Sequence, residues 1–488
     1  MIADYAQLAT ALAGEAALVV GALAVLGFDL TAGRDRTPEA RWAAAVIIGV
    51  IALVGAMIIS VRLGPVGSLF GSAFMLDALG VGTRVGVLVL AGLTLVIASS
   101  TARLRNPAEF VAVVLFATTG FTLMAVAQQL LLAFLAIELA SLSLYVLAGF
   151  DKSRPESAEA ALKYFLLGGM SAAFLLFGFS LLYGLTGSIE LPRIAAALDA
   201  QGLTPLLSVA LVMVLVAFGF KAAAAPFHLW VPDVYQGAPT SSVALIASAS
   251  KLAGFALFTR LLWPGLGHVA GNVSTAHGAP GWLPVVAVIS AASLLLGNFG
   301  ALAQTNLRRL LAYSAIAHAG ALLLGVIAAG ASGPAPLFYY AGTYGLATVG
   351  AFGVVAVLDR AGVGARIEDL AGLHQRSPLL AGCLAVFVLS LAGIPPLAGF
   401  FGKFSVFAAA LKLGGLAGSA GWLTLAAIFL SAVALYYYLI VLKHALVAAP
   451  PPNAARIKAP ASAGFALVLS AALIVLLGIF PSVLLRIF

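Results

Sequence analysis

Residues 218–255 read FGFKAAAAPFHLWVPDVYQGAPTSSVALIASASKLAGF. This stretch is mostly apolar, but Lys221 and Lys251 lie inside it and prolines interrupt it at three positions. A proline inside a helix removes one backbone hydrogen bond and clashes with the preceding turn. We therefore expect a helix that ends near Pro226, an irregular segment after it, and a second helix that carries Lys251.

The rest of the chain has the same apolar character. Of its 488 residues, 63% are hydrophobic and 9% are charged, and the mean hydropathy is +1.13. A soluble protein of ordinary composition has about 25% charged residues. This composition excludes a cytosolic enzyme and a disordered protein, and it indicates an integral membrane protein.

Fourteen apolar runs are separated by charged residues or by clusters of proline and glycine. Each has about the 20 residues that a helix needs to cross the hydrocarbon core of a bilayer. We therefore expect an all-α polytopic membrane protein with about 14 transmembrane helices. The expected spans are residues 11–30, 41–61, 78–100, 108–128, 129–149, 158–185, 205–225, 240–262, 283–303, 306–330, 335–358, 378–400 with a broken continuation to 413, 420–447 and 463–486.

Lysine and arginine residues indicate the orientation of these spans. Fifteen of the 25 fall in the odd-numbered connections, and six fall in the termini and the even-numbered connections. Basic connections stay on the cytoplasmic side, so both termini should lie on the non-cytoplasmic side of a bacterial-type inner membrane. Topology therefore explains the net charge of +8 better than binding to nucleic acid, because the basic residues do not form one face with interleaved aromatic residues. The N-terminus has no basic region before residues 11–30, so this run is expected to be a retained span and not a cleaved signal peptide.

The polar connections carry no pattern that predicts redox chemistry or a self-contained enzyme. The single cysteine, Cys383, lies in an apolar run, so this chain alone cannot assemble a disulfide, an iron-sulfur cluster or a zinc site from cysteines. The connections also lack a nucleotide-binding loop, a metal cluster and a nucleophile triad. We expect no metal and no bound cofactor in this chain, so any redox cofactor would belong to a partner.

Some ionisable residues lie inside the predicted spans, where a charge at the helix centre costs about 2.5–3.5 kcal/mol. They are Glu138, Lys163, Lys221, Lys251, His318 and Lys403. Such residues must be paired, hydrated, partly neutral or functional. For Lys163, which lies near its helix start, the alternative is a side chain that reaches the lipid headgroups. For His318 the alternative is a packing residue hydrogen-bonded to Ser314, one helical turn away.

Five further ionisable residues lie near the ends of predicted helices and are expected to be interfacial anchors. They are Glu15, Asp77, Arg84, Arg260 and His444.

A carboxylate and several lysines at similar depth predict proton handling. Burial favours the neutral form of a lysine, whereas a neighbouring carboxylate favours the charged form. A change at one partner therefore switches the lysine between holding and releasing a proton. Ser248 and Ser250 beside Lys251, and Tyr313 and Ser314 near His318, are expected to help water to carry that proton.

Two spans are interrupted by proline at corresponding positions. The first break follows Lys221, and the second lies in LSLAGIPPLAGFFGKF, residues 389–404, before Lys403. Broken helices in two halves of a membrane protein indicate a transport site, and the alternative is a simple kink at each proline. The fourth to eighth spans form one set and the ninth to thirteenth form another, and the broken span is the fourth member of each. Because five is odd, the second set should enter the membrane from the opposite side, so the two sets should form inverted repeats. The expected units are three N-terminal spans in 1–107, repeats in 108–262 and 283–447, and a last span in 448–488.

Three segments carry a family resemblance. Residues 218–255, NLRRLLAYSAIAHAG at 306–320 and residues 389–404 resemble the antiporter-like subunits of proton-pumping NADH:quinone oxidoreductase, respiratory complex I. Within that group, PDVYQGAPT at 232–240 and the absence of a long lateral helix after the last span resemble the subunit N type. The resemblance runs over essentially the whole chain.

The resemblance implies a proton relay made of the ionisable residues in the spans. In this family Glu138 and Lys221 match a pair that loads and modulates a proton, and Lys251 matches a central lysine. The implied relay is completed by His318 at a connecting position, Lys403 near the proton exit, Lys163 as a lysine of the subunit N type, and His228 as a bridge to the cytoplasmic side.

The resemblance also implies partners and cofactors elsewhere. The chain would be one subunit of a translocating enzyme whose NADH, FMN, iron-sulfur clusters and quinone are held by other subunits. Its neighbours would be other antiporter-like and small membrane subunits of the membrane arm, together with the lipid bilayer. Two other functions stay open: a subunit of a multi-subunit Na⁺/H⁺ antiporter on the same scaffold, and a membrane scaffold that moves nothing.

Overall fold

The computed structural model describes residues 2–99, 105–273, 279–413, 415–416, 418–452 and 454–487. Its helices and strands, in chain order, are α1 (Ile2–Ala11), α2 (Ala13–Leu30), α3 (Pro38–Leu63), β1 (Gly67–Leu69), β2 (Phe74–Leu76), α4 (Ala78–Ala98), α5 (Pro107–Val126), α6 (Leu130–Ala148), α7 (Pro155–Thr186), α8 (Leu191–Gln201), α9 (Pro205–Ala222), α10 (Trp230–Gly237), α11 (Thr240–Ala247), α12 (Ala249–Arg260), α13 (Trp282–Leu302), α14 (Leu307–Ser332), α15 (Ala335–Arg360), α16 (Leu373–Arg376), α17 (Pro378–Ala392), α18 (Ala398–Leu411), α19 (Ser419–Leu446), α20 (Ala461–Ile479) and α21 (Ser482–Leu485).

The expectation of an all-helical membrane protein is confirmed. Within the described residues, 13 helical segments are long and apolar enough to cross a membrane, and each coincides with a predicted span. The predicted twelfth span is formed by two shorter apolar helices, α17 and α18. The predicted end of the third span, at residue 100, lies outside the described residues.

Local hydrogen bonds set the helix starts. The side chain of Asp77 accepts the backbone N–H of Gly80 at 2.8 Å, and Asn306 accepts those of Arg308 and Arg309 at 2.9 and 3.2 Å. The first turn of a helix leaves backbone N–H groups without intrahelical partners, and short polar side chains satisfy them. The first turns of α4 and α14 are therefore determined by residues that immediately precede the apolar runs.

A small hairpin departs from the all-helical expectation. β1 and β2 pair antiparallel between α3 and α4, and the turn between them places Gly71 at φ +61°. Glycine adopts this left-handed conformation without steric cost. The strands have three residues each and do not change the fold class.

The connections between the spans meet on two separate faces. One face carries the odd-numbered connections, which hold most of the lysines and arginines, and we call it the basic face. There Leu307 donates its backbone N–H to the carbonyl of Ala365 at 2.8 Å. On the opposite face, Gln128 donates its backbone N–H to the carbonyl of Ala73 at 2.9 Å. Odd-numbered connections thus contact odd-numbered ones, and even-numbered connections contact even-numbered ones. This is the alternation that the span assignment requires.

Three segments form the centre of the bundle. In the most apolar 18 residues of α14 and of α15, 94% of the residues are buried. The share is 100% in the segment Thr240–Gly265 and 28% in α3. Lys251 and His318 therefore lie on helices that are surrounded by protein. The peripheral helices expose mostly apolar side chains, as a lipid-facing surface requires.

The first predicted break is confirmed. α9 ends at Ala222, and Ala223 adopts a left-handed φ of +63°. The backbone N–H of Ala225 is satisfied by the Ser293 side chain of α13 at 2.8 Å, and the indole of Trp230 donates to the carbonyl of Phe220 at 3.3 Å. Irregular backbone at membrane depth needs such partners because lipid offers none.

The second predicted break has the same local construction. α17 ends at Ala392, and the next residue, Gly393, has φ +87°. The side chain of Ser390 accepts the backbone N–H of Gly399, in the first turn of α18, at 3.2 Å. Each of the two breaks contains one cis X–Pro peptide bond.

A third interruption, which was not predicted, lies inside the span expected over 240–262. α11 ends at Ala247, Ser248 leaves helical geometry with ψ −83°, and α12 begins at Ala249. The hydroxyl of Ser248 donates to the carbonyl of Ala244 at 2.5 Å. This bond back to the preceding turn is a known cause of helix bending, and no proline marks the position in the sequence.

Candidate functional site

Glu138 and Lys221 line the same small cavity. Lys221 lies in the last turn of α9, and its Nζ donates to Oγ of Ser141, one turn after Glu138 on α6, at 3.2 Å. The cavity has a volume of about 20 Å³, and its lining includes Glu138, Ser141, Tyr145 and Lys221. That volume holds a single water molecule. The predicted acid and base are therefore neighbours with room for one water.

The side chain of Lys221 also lies against α12. A Cβ atom added at Gly254 would be 3.4 Å from Cγ of Lys221. Gly254 is three residues after Lys251, which places it about one turn further along the same helix. The glycine leaves space for the lysine chain and brings Lys221 to the helix that carries Lys251.

Lys251 is buried between α12, α14 and α15. Its side chain donates from Nζ to the carbonyl of Ala315 at 2.6 Å, and the ammonium lies 5.3 Å from the ring centroid of Tyr344. An aromatic face attracts a cation at this distance. The residue is 2% exposed, so these protein groups replace the water that a lysine normally contacts.

His318 lies among tyrosines from two other helices. Its Nδ1 is 2.6 Å from the hydroxyl of Tyr340 on α15, and its Nε2 is 3.2 Å from the hydroxyl of Tyr438 on α19. The Tyr344 ring lies 4.8 Å from the imidazole, between centroids. The hydroxyl of Tyr438 is in turn hydrogen-bonded to that of Ser314. Both ring nitrogens of His318 therefore have hydroxyl partners.

These tyrosines were missed in the sequence. Tyr340 and Tyr438 lie in apolar runs, and both are 1% exposed. The signal was present, because a buried tyrosine hydroxyl usually needs a hydrogen-bond partner. The predicted helper Tyr313 is only partly buried and packs beside Gly300 of α13. Ser314 bonds to Tyr438, so it reaches His318 through the phenol.

Lys403 lies beside the second break. Its Nζ donates to the carbonyl of Ala392, the last residue of α17, at 3.1 Å. A Cβ at Gly393 would be 3.1 Å from Cδ of Lys403, so the lysine chain covers the break. Next to it, the ring of Tyr340 occupies the space that a Cβ at Gly402 would take. Tyr340, which is hydrogen-bonded to His318, therefore contacts Gly402, the residue immediately before Lys403.

Lys163 lies apart from the buried residues. Its side chain is 42% exposed, and its Nζ pairs with Glu159 at 2.6 Å and with Asp233 at 2.5 Å. The other carboxylate oxygen of Asp233 pairs with Arg309 at 2.9 Å. α7 has 32 residues and is roughly 48 Å long, so it extends beyond a 30 Å hydrocarbon core. Lys163 thus lies near the start of the span Pro155–Thr186, as expected, and belongs to an ionic network at the basic face.

His228 is also separate from the lysines. It lies in the segment after the first break, is partly buried, and is followed by Leu229, which is 70% exposed. Its Nδ1 is buried, and within the described residues it has no hydrogen-bond partner. The same part of the structure shows no hydrogen bond or ion pair between His228 and Lys221 or Lys251.

The expected interfacial anchors include three buried residues, so that expectation is wrong for them. Arg84 of α4 and Glu15 of α2 form an ion pair at 2.8 Å, with side chains 2% and 8% exposed. Arg260 is 4% exposed, pairs with Asp77, and donates from Nε to the carbonyl of Ala125 at 2.8 Å. A buried charge is tolerated when it is paired and hydrogen-bonded, and these partners are remote in sequence.

The broken helices, the buried Lys221, Lys251, His318 and Lys403, and the partly buried Glu138 define a polytopic membrane protein of the transporter class. Residues 127–434 match a family described as NADH:quinone oxidoreductase/Mrp antiporter, transmembrane. NADH-quinone oxidoreductase subunit N 2 of Acidobacterium capsulatum is 46% identical to this chain over 99% of both. The chain belongs to this family of antiporter-like membrane subunits, among its subunit N members.

Two solved structures show the same fold. A chain of respiratory complex I from Thermus thermophilus with bound aureothin is 34% identical, and the match has a TM-score of 0.79 over 97% of this chain and 98% of that one. A chain of the Mrp complex from a Dietzia species is 21% identical, with a TM-score of 0.81 over 97% of this chain and 96% of that one. The second likeness shows the fold alone.

Proposed function

We propose that this chain is a membrane-arm subunit of NADH:quinone oxidoreductase that moves protons across the membrane through a buried relay of Glu, Lys and His. Quinone reduction in other subunits would drive it. The observation that carries the proposal is the succession of contacts through the interior of the bundle. The relatives named NADH-quinone oxidoreductase subunit N support the assignment to this complex.

The succession connects the ionisable residues in the order in which they occur along the chain. Glu138 and Lys221 share the 20 Å³ cavity, and the Lys221 chain lies against Gly254 of α12, the helix that carries Lys251. Lys251 and His318 both contact the ring of Tyr344, and His318 continues through Tyr340 towards Lys403. Each ionisable residue is thus connected to the next through protein atoms or a space of water size.

Charge coupling supplies the driving force in this proposal. Loss or gain of a proton at Glu138 changes the field at Lys221, and each later group responds to its neighbour. Such interactions are several times stronger inside a protein than in water. Each proton moved against 100 mV requires about 2.3 kcal/mol, which is within reach of one or two such interactions.

The proposal includes an orientation and an internal repeat. The basic face would be cytoplasmic, with both termini on the other side of a bacterial inner membrane. Residues 108–262 and 283–447 would be inverted five-span repeats between the units 1–107 and 448–488. The similar breaks support the repeat, because both first half-helices end in a left-handed residue.

Lys163 and His228 stay in the proposal as uptake residues on the basic face. Lys163 would act through Asp233, which lies on α10 just beyond the first break. NADH, FMN, iron-sulfur clusters and quinone would be held by other subunits of the complex, and the neighbouring antiporter-like and small membrane subunits would cover part of the apolar surface.

Alanine substitutions at the first pair test the proposed function. Lys221→Ala or Glu138→Ala should strongly reduce proton pumping coupled to NADH oxidation while the complex still assembles. The matched control is Lys443→Ala, which removes an exposed lysine at the end of α19 and should pump normally. Pumping at the wild-type ratio of protons to electrons in an assembled Lys221→Ala complex would contradict the relay.

Two other candidate functions predict different experimental results from the proposed one. A Na⁺/H⁺ antiporter subunit is the second candidate, because the Mrp chain has the same fold. Copurification with NADH-dependent quinone reduction would exclude it. A scaffold that moves nothing predicts normal pumping when Glu138 and Lys221 are replaced together by Leu and Met.

A further inference from the structure

His318 is held between two phenols in a buried position. Tyr340 contacts Nδ1 at 2.6 Å and Tyr438 contacts Nε2 at 3.2 Å, while Tyr438 also bonds to Ser314. The histidine is 5% exposed, and each of the two tyrosines is 1% exposed. The three side chains and the serine hydroxyl form one continuous hydrogen-bonded chain inside the bundle.

The chemistry of these groups gives the chain a direction. A neutral imidazole has one nitrogen that donates and one that accepts, and a phenol can do both through its oxygen. One tyrosine must therefore donate to the bare nitrogen while the other accepts from the ring N–H. Reversing the tautomer of His318 reverses every hydrogen bond in the chain.

The two ends of the chain lead to different lysines. Ser314 immediately precedes Ala315, whose carbonyl accepts from Nζ of Lys251 at 2.6 Å. At the other end, Tyr340 packs at Gly402, which immediately precedes Lys403. The Tyr438 side thus faces the Lys251 region, and the Tyr340 side faces the Lys403 region.

We propose that Tyr340 and Tyr438 are proton-carrying residues that serve the two nitrogens of His318. This inference rests on the proposed function and assigns it two further residues. When a proton arrives through Tyr438, its hydroxyl accepts that proton and gives its own to Nε2. The imidazolium then releases the proton on Nδ1 to Tyr340, which passes its own proton towards Lys403.

This step balances without ionising a phenol. One proton enters at Ser314 or Tyr438, one leaves from Tyr340, and His318 returns to the neutral form with its N–H on the other nitrogen. The ring regains its starting tautomer by turning over or by exchanging a proton with water. No oxidant or reductant takes part.

The chain offers a matched control for this proposal. Tyr339 is the sequence neighbour of Tyr340 and is also buried, at 0% exposed. Its hydroxyl donates to the carbonyl of Leu477 at 2.8 Å. Tyr339→Phe therefore removes one buried hydroxyl that does not contact His318.

The experiment compares Tyr340→Phe and Tyr438→Phe with Tyr339→Phe in the assembled complex reconstituted into vesicles. Proton pumping per NADH oxidised, its solvent deuterium isotope effect and complex assembly are measured. The relay variants should slow pumping by at least about tenfold, since a positioned proton-transfer group contributes about 10²–10⁴-fold. Their isotope effect should rise, and the control variant should pump normally.

Each outcome has one meaning. Equal losses in the two relay variants and in Tyr339→Phe would mean that the hydroxyls only hold the structure, which overturns the proposal. Wild-type pumping in Tyr340→Phe and Tyr438→Phe also overturns it, even if Lys221→Ala is inactive, and the proposed function then survives. Wild-type pumping in Lys221→Ala would instead remove the proposed function itself.

Discussion

Removing the carboxylate of Glu15 should destabilise the protein by about 3–5 kcal/mol, because Glu15→Gln leaves the guanidinium of Arg84 buried without an anion. The pair joins α2 to α4, and Arg84 makes one further hydrogen bond, from Nη1 to the carbonyl of Ala11 at 3.3 Å. The substitution preserves the size and shape of the side chain, so packing around it changes little.

The magnitude follows from the burial and separation of the charges. Nη2 of Arg84 and Oε1 of Glu15 are 2.8 Å apart, and the side chains are 2% and 8% exposed. Two unit charges at this distance attract by about 6 kcal/mol at an effective dielectric constant of 20. The desolvation cost of both ions cancels most of this gain, but Glu15→Gln loses the attraction and leaves the desolvation cost of Arg84 in place.

Replacement of both partners should restore the stability. In the double variant Glu15→Leu with Arg84→Met neither charge is buried, so the free energy of unfolding should equal the wild-type value or exceed it by about 1–4 kcal/mol. The partly exposed pair Arg41–Asp29 is the control, with side chains 31% and 13% exposed. Asp29→Asn should cost at most about 1 kcal/mol, because solvent screens that pair.

The assay is unfolding of the purified protein by titration with sodium dodecyl sulfate, followed by tryptophan fluorescence. Glu15→Gln should unfold at clearly lower detergent than Asp29→Asn, and the double variant should return to the wild-type midpoint. Equal midpoints for the two single variants would refute the reasoning about burial. A double variant as unstable as Glu15→Gln would show that the unpaired charge of Arg84 is not the cause of the lost stability.

Two further changes test the second break and the ionic network of the basic face. Gly393→Ala should destabilise by about 1–2 kcal/mol, because φ is +87° there, whereas Gly382→Ala, with nothing within 4 Å of its added Cβ in α17, should be neutral or slightly stabilising. Equal midpoints in the same titration would count against the strain. Asp233→Asn removes the common partner of Lys163 and Arg309, but the pairs are partly exposed, so the loss should be within about 1 kcal/mol and should shrink in high salt. A loss that is insensitive to salt would show that Asp233 acts by packing.

Features that depend on one residue type and its position along the chain were predictable. The breaks after Lys221 and before Lys403 follow from proline, which disrupts a helix wherever it occurs. Lys221, Lys251, His318 and Lys403 were expected inside the spans, and all four are buried. Lys163 was expected near the start of its helix, which begins at Pro155, and its side chain is 42% exposed.

Features that depend on a partner from another helix were not predictable. The interruption at Ser248 has no proline to mark it, and Ser60 and Thr118 make the same type of hydroxyl bond inside uninterrupted helices. Arg84 was expected to be an interfacial anchor because it lies near a predicted helix end, whereas in the structure it pairs with Glu15 of α2. A polar residue is buried or exposed according to what packs beside it, which a single helix does not specify.

The sequence by itself determined that this is a helical membrane protein, where its spans lie, and that a few ionisable groups stay within them. These properties follow from transfer free energies and backbone hydrogen bonding, which act residue by residue along the chain. Only the tertiary structure decided which groups are neighbours. Tyr340 and Tyr438 are 22 and 120 residues away from His318 and meet it on separate helices, so helix packing alone makes the histidine part of a continuous hydrogen-bonded chain.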